Sequence, residues 1–353
     1  MSPNPGFTKL LAGSRSRCSD RVTRMRRVAA PLAAVVLALL LGGCGGGGAE
    51  PGAPQGATLI LDFQPNAVHS GIYAAQAKGF FKDEGVDLTI RAPSSTADSA
   101  KLLEAGRADF AVMDINDFGI ARERGLDLVA IAAIVQRPLA SVIARDRNAI
   151  RTPADLAGKT VGVTGVPSDD AVLNTVLRSG GVNPSSVHRV DIGFNAVSAL
   201  AAGKIDAATA FWNAEGVQLQ QMGIPIRELR VDEFGAPRYP ELVVATTPER
   251  CDLANRLSAG LQRGYETMTK EPQAALRDLL DEVPDLDPGS QSDQLQALLG
   301  AHAFSVPGAN PVFSSRLMSA PAISWTRWAA RNGVISAPSV AQVSRGFSEA
   351  ACS

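Results

Sequence analysis

Aromatic side chains are sparse in this 353-residue sequence: they make up 5% of it, with three Trp and three Tyr. Few residues can stack on a flat ligand, so each one counts. Histidine is rarer still, at three, and none of the four cysteines falls in a Cys-x-x-Cys pair. No His-Glu-x-x-His or Gly-x-Ser-x-Gly arrangement occurs either, which leaves an unrelated hydrolase or a metal site without residues to build on. The apolar run Val28–Leu41 has fourteen residues, short of the ~20 that cross a bilayer as a helix. Lys and Arg do not cluster in the body of the chain as phosphate neutralisation requires, which argues against nucleic-acid binding.

What is present begins with that apolar run. VAAPLAAVVLALLL follows Arg24, Arg26 and Arg27 and ends in Leu41-Gly42-Gly43-Cys44, the order of a secretory signal. Its end resembles a bacterial lipobox, in which small residues precede a cysteine that takes a diacylglyceryl group. The sequence predicts a signal peptide over 1–43, starting at Met1 or Met25, and Cys44 as the lipidated end of an exported, membrane-anchored protein. Residues 44–56 cannot bury apolar surface and read as a flexible Gly/Pro linker. Residues 1–43 hold seven basic groups and one acid, so the formal charge of the remainder is −7 against −1 for the whole. Export permits a disulfide between Cys251 and Cys352, whose separation the sequence leaves open.

From Ala57 short apolar strands alternate with amphipathic helices: TLILDF, SGIYAAQAKGFFKDEG, VDLTIRA, TADSAKLLEAGR, ADFAVMD, DFGIARERG and LDLVAIAAIV. Alternation of this kind builds α/β sheets with helices on their faces. A second unit with the same grammar opens at RTPADLAGKTVGVTGVPSDDAVLNTVL. Ser141–Arg145 and Leu242–Thr246 bracket it and read as a two-strand hinge. The remainder is helical by pattern and returns to the first unit. The expected architecture is two α/β lobes, each a doubly wound sheet: residues 57–142 and 246–353 as lobe 1, and 143–245 as lobe 2.

The stretch LDFQPNAVHSGIYAAQAKGFFKDEGVDLTI, with LLEAGRADFAV, DLAGKTVGV, GVPSDDAVLNTVL and GFNAVSALAAGKIDAATAFWNAEG, resembles the solute-binding lipoproteins of ABC importers that bind thiamine-pyrimidine precursors. The resemblance covers about residues 57–247 and implies a type II periplasmic-binding-protein fold. It implies a monomeric receptor without cofactor that closes its lobes on a small heteroaromatic solute, such as a formyl-aminopyrimidine or hydroxymethylpyrimidine, and hands it to permease and ATPase subunits encoded elsewhere. Riboflavin, amines, sulfonates and nitrate are the other solutes such folds carry. The same fold serves the pyrimidine precursor synthase of thiamine biosynthesis, whose cofactor-attaching Lys and substrate His fall here at Met113 and Asp117. A third reading is an adhesion or sensor lipoprotein.

Ligands of doubly wound sheets sit beyond the carboxyl ends of the strands. On that rule Phe63, Asn66 and His69 face the cleft from lobe 1, together with Asp114 after the strand ADFAVMD. His69 serves either as a helix cap or as a ligand contact, and Tyr73, one turn on, belongs to the core or the cleft. Lobe 2 contributes Pro167, Ser168 and Asp169 at a helix start and Asn195 at another. It also supplies Trp212 as a stacking face or lobe-core residue, and Glu215 as an acceptor for an exocyclic amine or a solvated helix-start acid. Asp114 departs from the uncharged residue associated with pyrimidine binders, and with Asp169 and Glu215 it favours a cationic or amine-rich heterocycle.

Overall fold

Two five-stranded mixed sheets are built to one plan. The computed structural model describes residues 53–93, 98–165, 167–193, 195–305, 319–347 and 352; the expected signal peptide, Cys44 and the expected linker as far as residue 52 lie outside them. In chain order the elements are β1 (Gln55–Ile60), α1 (Ser70–Ala77), α2 (Phe80–Asp83), β2 (Val86–Arg91), α3 (Asp98–Glu104), β3 (Phe110–Asp114), α4 (Ile115–Glu123), β4 (Val129–Val135), β5 (Ala140–Arg145) and β6 (Thr160–Val163). There follow α5 (Pro167–Ser179), β7 (His188–Asp191), α6 (Ala196–Ala202), β8 (Ala207–Phe211), α7 (Val217–Gln221), β9 (Ile226–Arg230) and β10 (Leu242–Thr246). The chain closes with α8 (Cys251–Lys270), α9 (Pro272–Glu282), α10 (Pro288–Gly300), α11 (Ser319–Arg331) and α12 (Val340–Arg345).

Sheet order is β2-β1-β3-β10-β4 in the first lobe and β7-β6-β8-β5-β9 in the second. Within each sheet the first three strands run parallel, and the fourth, β10 or β5, runs antiparallel to both of its neighbours. Each antiparallel strand is the first one formed after the chain changes lobes. The passages themselves are residues 136–139 and 231–241. The two stretches expected as a crossing hinge lie beside them, with β5 wholly in the second sheet and β10 wholly in the first. β5 and β10 are buried along almost their whole length, so both are central strands.

Helix packing in lobe 1 depends on small residues. α1 buries Gly71, Ile72, Tyr73, Ala74 and Ala75 against α8. A Cβ at Gly264 would run into the Gly71 carbonyl oxygen, so the two helices cross with their backbones in contact. Beside that crossing the Tyr265 hydroxyl donates to Val68 O at 2.9 Å. Tyr73 is a core residue, and burial, reinforced by the charge of Glu282, pushes its hydroxyl up to about 12. Gly79, with φ of +73°, separates α1 from the short helix α2. Cys251, at the start of α8, is joined to Cys352 with Cα atoms 5.0 Å apart.

Candidate functional site

A cavity of ≈ 170 Å³ opens between the sheets, at the carboxyl ends of β1, β3, β6 and β8. Lobe 1 lines it with Asp62, Phe63 and Asn66 from the loop after β1, Ser99 from α3, and Asp114, Asn116 and Asp117 around the start of α4. Lobe 2 answers with Thr164 after β6, Ser168 and Asp169 from α5, and Phe211, Asn213 and Glu215. The two lobe passages add Leu139 and Glu241. Residues 212–216 form a single π-helical turn directly after β8, a distortion that re-aims the side chains following the strand.

The acidic side chains are held by local backbone chemistry. Asp114 caps α4, its Oδ1 accepting from Asn116 N at 2.6 Å. Asp169 Oδ2 accepts from Thr164 N (2.7 Å), Thr164 Oγ1 (2.6 Å) and Gly165 N (3.1 Å). Glu215 Oε2 accepts from Phe211 N at 3.0 Å, and Glu241 Oε2 from Leu139 N at 3.1 Å. Asn66 Oδ1 accepts from Val68 N at 3.0 Å and caps the 3-10 turn Ala67–His69.

Among the described residues six carboxyl groups line the cavity, and no Lys, Arg or His does. Burial, reinforced at all but Glu215 by neighbouring charge, shifts four of them, Asp114, Asp117, Glu215 and Glu241, toward their neutral forms. Burial pushes Asp114 up to about 6, against the opposing pull of the Asn116 N–H. Burial, then the charges of Asp114 and Asp62, pushes Asp117 up to about 7. Glu241 is fully buried and hydrogen-bonded to Asp114; burial and the Asp114 charge raise it well above the carboxylate range, so Glu241 keeps its proton and donates it to Asp114. Burial also raises Glu215. Among the described residues no group of three or more His, Cys, Asp or Glu could hold a metal ion.

Of the residues selected from the sequence, Phe63, Asn66, Asp114, Ser168, Asp169 and Glu215 line this cavity. Pro167 opens α5, and its side chain lies outside the described residues. Three others are placed elsewhere. Trp212 is 1% exposed and belongs to the core; its Nε1 donates to Pro138 O at 3.0 Å, and the Arg230 guanidinium covers its ring at 4.1 Å. The chain turns as it leaves β8, so Phe211 faces the cavity and Trp212 turns inward. His69 is fully buried behind the cavity wall, its two nitrogens engaged by Asn66 N and Asp62 Oδ1. Asn195 is exposed and donates from Nδ2 to Ile192 O at 2.9 Å, while its neighbour Ala196 reaches the cavity.

Sequence reasoning did not select Asp62, Asp117, Thr164 or Glu241; Phe211 and Asn213 belong to the run after β8 from which it chose Trp212 and Glu215. Asp117 had a usable signal, since it lies three residues after Asp114 on a helix and so shares its face. Glu241 gave none, because an acid next to the apolar strand LVVAT looks like a surface residue until both lobe passages are seen to meet at it.

A model of proteins described as NMT1/THI5 like matches residues 66–275. The chain belongs to the NMT1/THI5-like family. It is 32% identical over 227 residues to the formylaminopyrimidine-binding protein of Halalkalibacterium halodurans, covering 63% of this chain and 69% of that one. It is also 26% identical over 235 residues to the 4-amino-5-hydroxymethyl-2-methylpyrimidine phosphate synthase of Legionella pneumophila, covering 65% and 74%. Among solved structures, the alkanesulfonate-binding protein SsuA from Xanthomonas axonopodis pv. citri, bound to MOPS, matches with a TM-score of 0.62 at 16% identity, over 84% of this chain and 99% of that one. The family member described here therefore has the periplasmic-binding-protein fold, and its relatives include both a binding protein and an enzyme.

Proposed function

We propose that this chain is the extracytoplasmic solute-binding receptor of an ABC importer, anchored to the membrane through Cys44. It captures a flat, amino-bearing heterocycle of the thiamine pyrimidine precursor class by closure of its two lobes. The observation that carries this reading is the cavity: it lies between the lobes, takes walls from both, and offers acceptors with no cation. Sulfonate and nitrate, which need Lys or Arg, have no partner there. Phe63 and Phe211, 44% and 38% exposed, supply aromatic faces from opposite lobes, and the acids supply acceptors for ring and exocyclic N–H groups. Each lobe gives half the site, so ligand stabilises the closed arrangement and the passages at 136–139 and 231–241 absorb the motion.

The enzyme reading has less support. The positions where the synthases' cofactor-attaching Lys and substrate His fall are Met113 and Asp117, and both line the cavity. The test is a thermal-shift and calorimetric panel of formylaminopyrimidine, hydroxymethylpyrimidine, riboflavin, taurine and nitrate. Ligand at 100 times its Kd adds about 2.7 kcal/mol of stability. A pyrimidine should raise the midpoint and taurine should not. A response to taurine or nitrate alone would overturn the proposal.

A further inference from the structure

The protons of several cavity-lining donors are already committed to the protein itself. Thr164 Oγ1 donates to Asp169, Ser141 Oγ to Ala210 O at 2.8 Å, and Asn66 Nδ2 to Gln64 O at 3.0 Å. Acceptors are left over. Asn213 is 3% exposed and its Oδ1 has no partner among the described residues. Asp117 has no hydrogen bond among the described residues. A buried acceptor without a partner costs about 1–3 kcal/mol, so a ligand that satisfies it is favoured by a comparable amount.

We infer that the cleft selects its solute as a cation: Asp117 and Asn213, on opposite lobes, accept N–H bonds from an ammonium or protonated ring nitrogen that a neutral isostere lacks. This rests on the reading of the cleft as a solute site. The groups facing Asp117 reinforce the choice. Asp62 approaches from the β1 loop, Asp114 from its own helix, Glu241 from the lobe passage, and Asp169 and Glu215 from lobe 2. His69 turns to Asp62, Tyr239 and Tyr265 lie buried behind, and the charge of Arg124, at the far end of α4, opposes the acids. Charge on the solute thus offsets the negative field that Asp62 and Asp114 set up around Asp117.

The test is calorimetry at pH 5 and pH 8 with 4-amino-5-aminomethyl-2-methylpyrimidine, whose side chain is an ammonium, and its N-formyl derivative, whose side chain is neutral. At pH 8 the ammonium compound should bind at least tenfold more tightly, and its advantage should shrink at pH 5, where Asp114 and Asp117 take up protons. Asp117→Asn should remove most of that advantage, weakening the ammonium compound at least fivefold more than it weakens the N-formyl compound. Asn213→Asp should enlarge it. Equal or tighter binding of the N-formyl compound by the unsubstituted protein would overturn the inference while leaving the pyrimidine reading intact. If neither pyrimidine binds, the pyrimidine reading falls, and thermal shift with benzamidine against benzamide decides the inference. A raised midpoint with benzamidine alone sustains it, and any other result overturns it.

Discussion

His69 Nε2 lies 2.8 Å from Asp62 Oδ1, while its Nδ1 accepts the Asn66 N–H at 3.1 Å. Those two bonds fix the tautomer, with the proton on Nε2 donated to the carboxylate. One buried ring therefore aims two cavity-lining residues at once. His69→Ala leaves Asp62 and the Asn66 N–H without partners, at a cost of about 1–3 kcal/mol. Urea melts should show that loss, and titration with the pyrimidine panel should show at least tenfold weaker binding.

Trp212 and Phe211 should part company. Trp212→Ala opens a void under the lobe passage and strands the Pro138 carbonyl, costing about 3–5 kcal/mol. Phe211→Ala removes a partly exposed ring from the cavity wall and should leave the melting midpoint nearly unchanged while weakening ligand at least tenfold. Thermal melts and calorimetry on both variants separate the roles. A stable Trp212→Ala protein with weak binding would reverse the assignment.

Folding without ligand should take up protons. Asp114 and Asp117, raised to about 6 and about 7, and Glu241, raised well above the carboxylate range, each titrate near 4 in the unfolded chain. The folded state then holds more protons than the unfolded one between about pH 4 and pH 7, so their contribution to stability falls as pH rises through that window. The unliganded midpoint should drop from pH 5 to pH 8, and Asp117→Asn should raise it at pH 8 with little effect at pH 5. Thermal melts across pH check both signs.

Reduction of the Cys251–Cys352 bridge frees a loop of 101 residues. Loss of a native bridge of this kind costs about 2–5 kcal/mol. Cys251→Ser with Cys352→Ser should lower the urea midpoint accordingly and leave solute affinity unchanged, because both cysteines lie outside the cavity lining.

Two lobe-to-lobe contacts lie away from the cavity lining: Gln221 Nε2 donates to Asp293 Oδ2 at 2.7 Å, and Thr175 Oγ1 and Arg178 Nη1 donate to Asn332 Oδ1 at 3.2 and 2.8 Å. They favour the closed arrangement before any solute enters. Asn332→Ala should weaken affinity two- to fivefold, with an expanded unliganded particle in small-angle scattering and no loss of fold.

Much of this was legible in the residues. The period of the apolar positions sets out every strand of both sheets, and the carboxyl-end rule places Phe63, Asn66, Asp114, Asp169 and Glu215 around the cavity. What failed depended on rotation about one bond or one turn. Whether Phe211 or Trp212 faces the gap is decided by the π-helical turn that follows them, and no local propensity announces such a turn. His69 was chosen for its chemistry, and its real task is set by an aspartate seven residues earlier that sequence alone could not aim at it. Glu241 became visible only when two passages, a hundred residues apart, met at one carboxyl.

That π-helical turn also makes the cleft evolvable. A helix widened by one residue can lose it again, and a single deletion within Trp212–Gly216 would rewind the segment and swing Asn213 and Glu215 by about 100°. The sheets would be untouched while the face shown to the solute changed completely. A receptor of this design can be retuned to a different cargo by the length of one loop, with no need to rebuild either half.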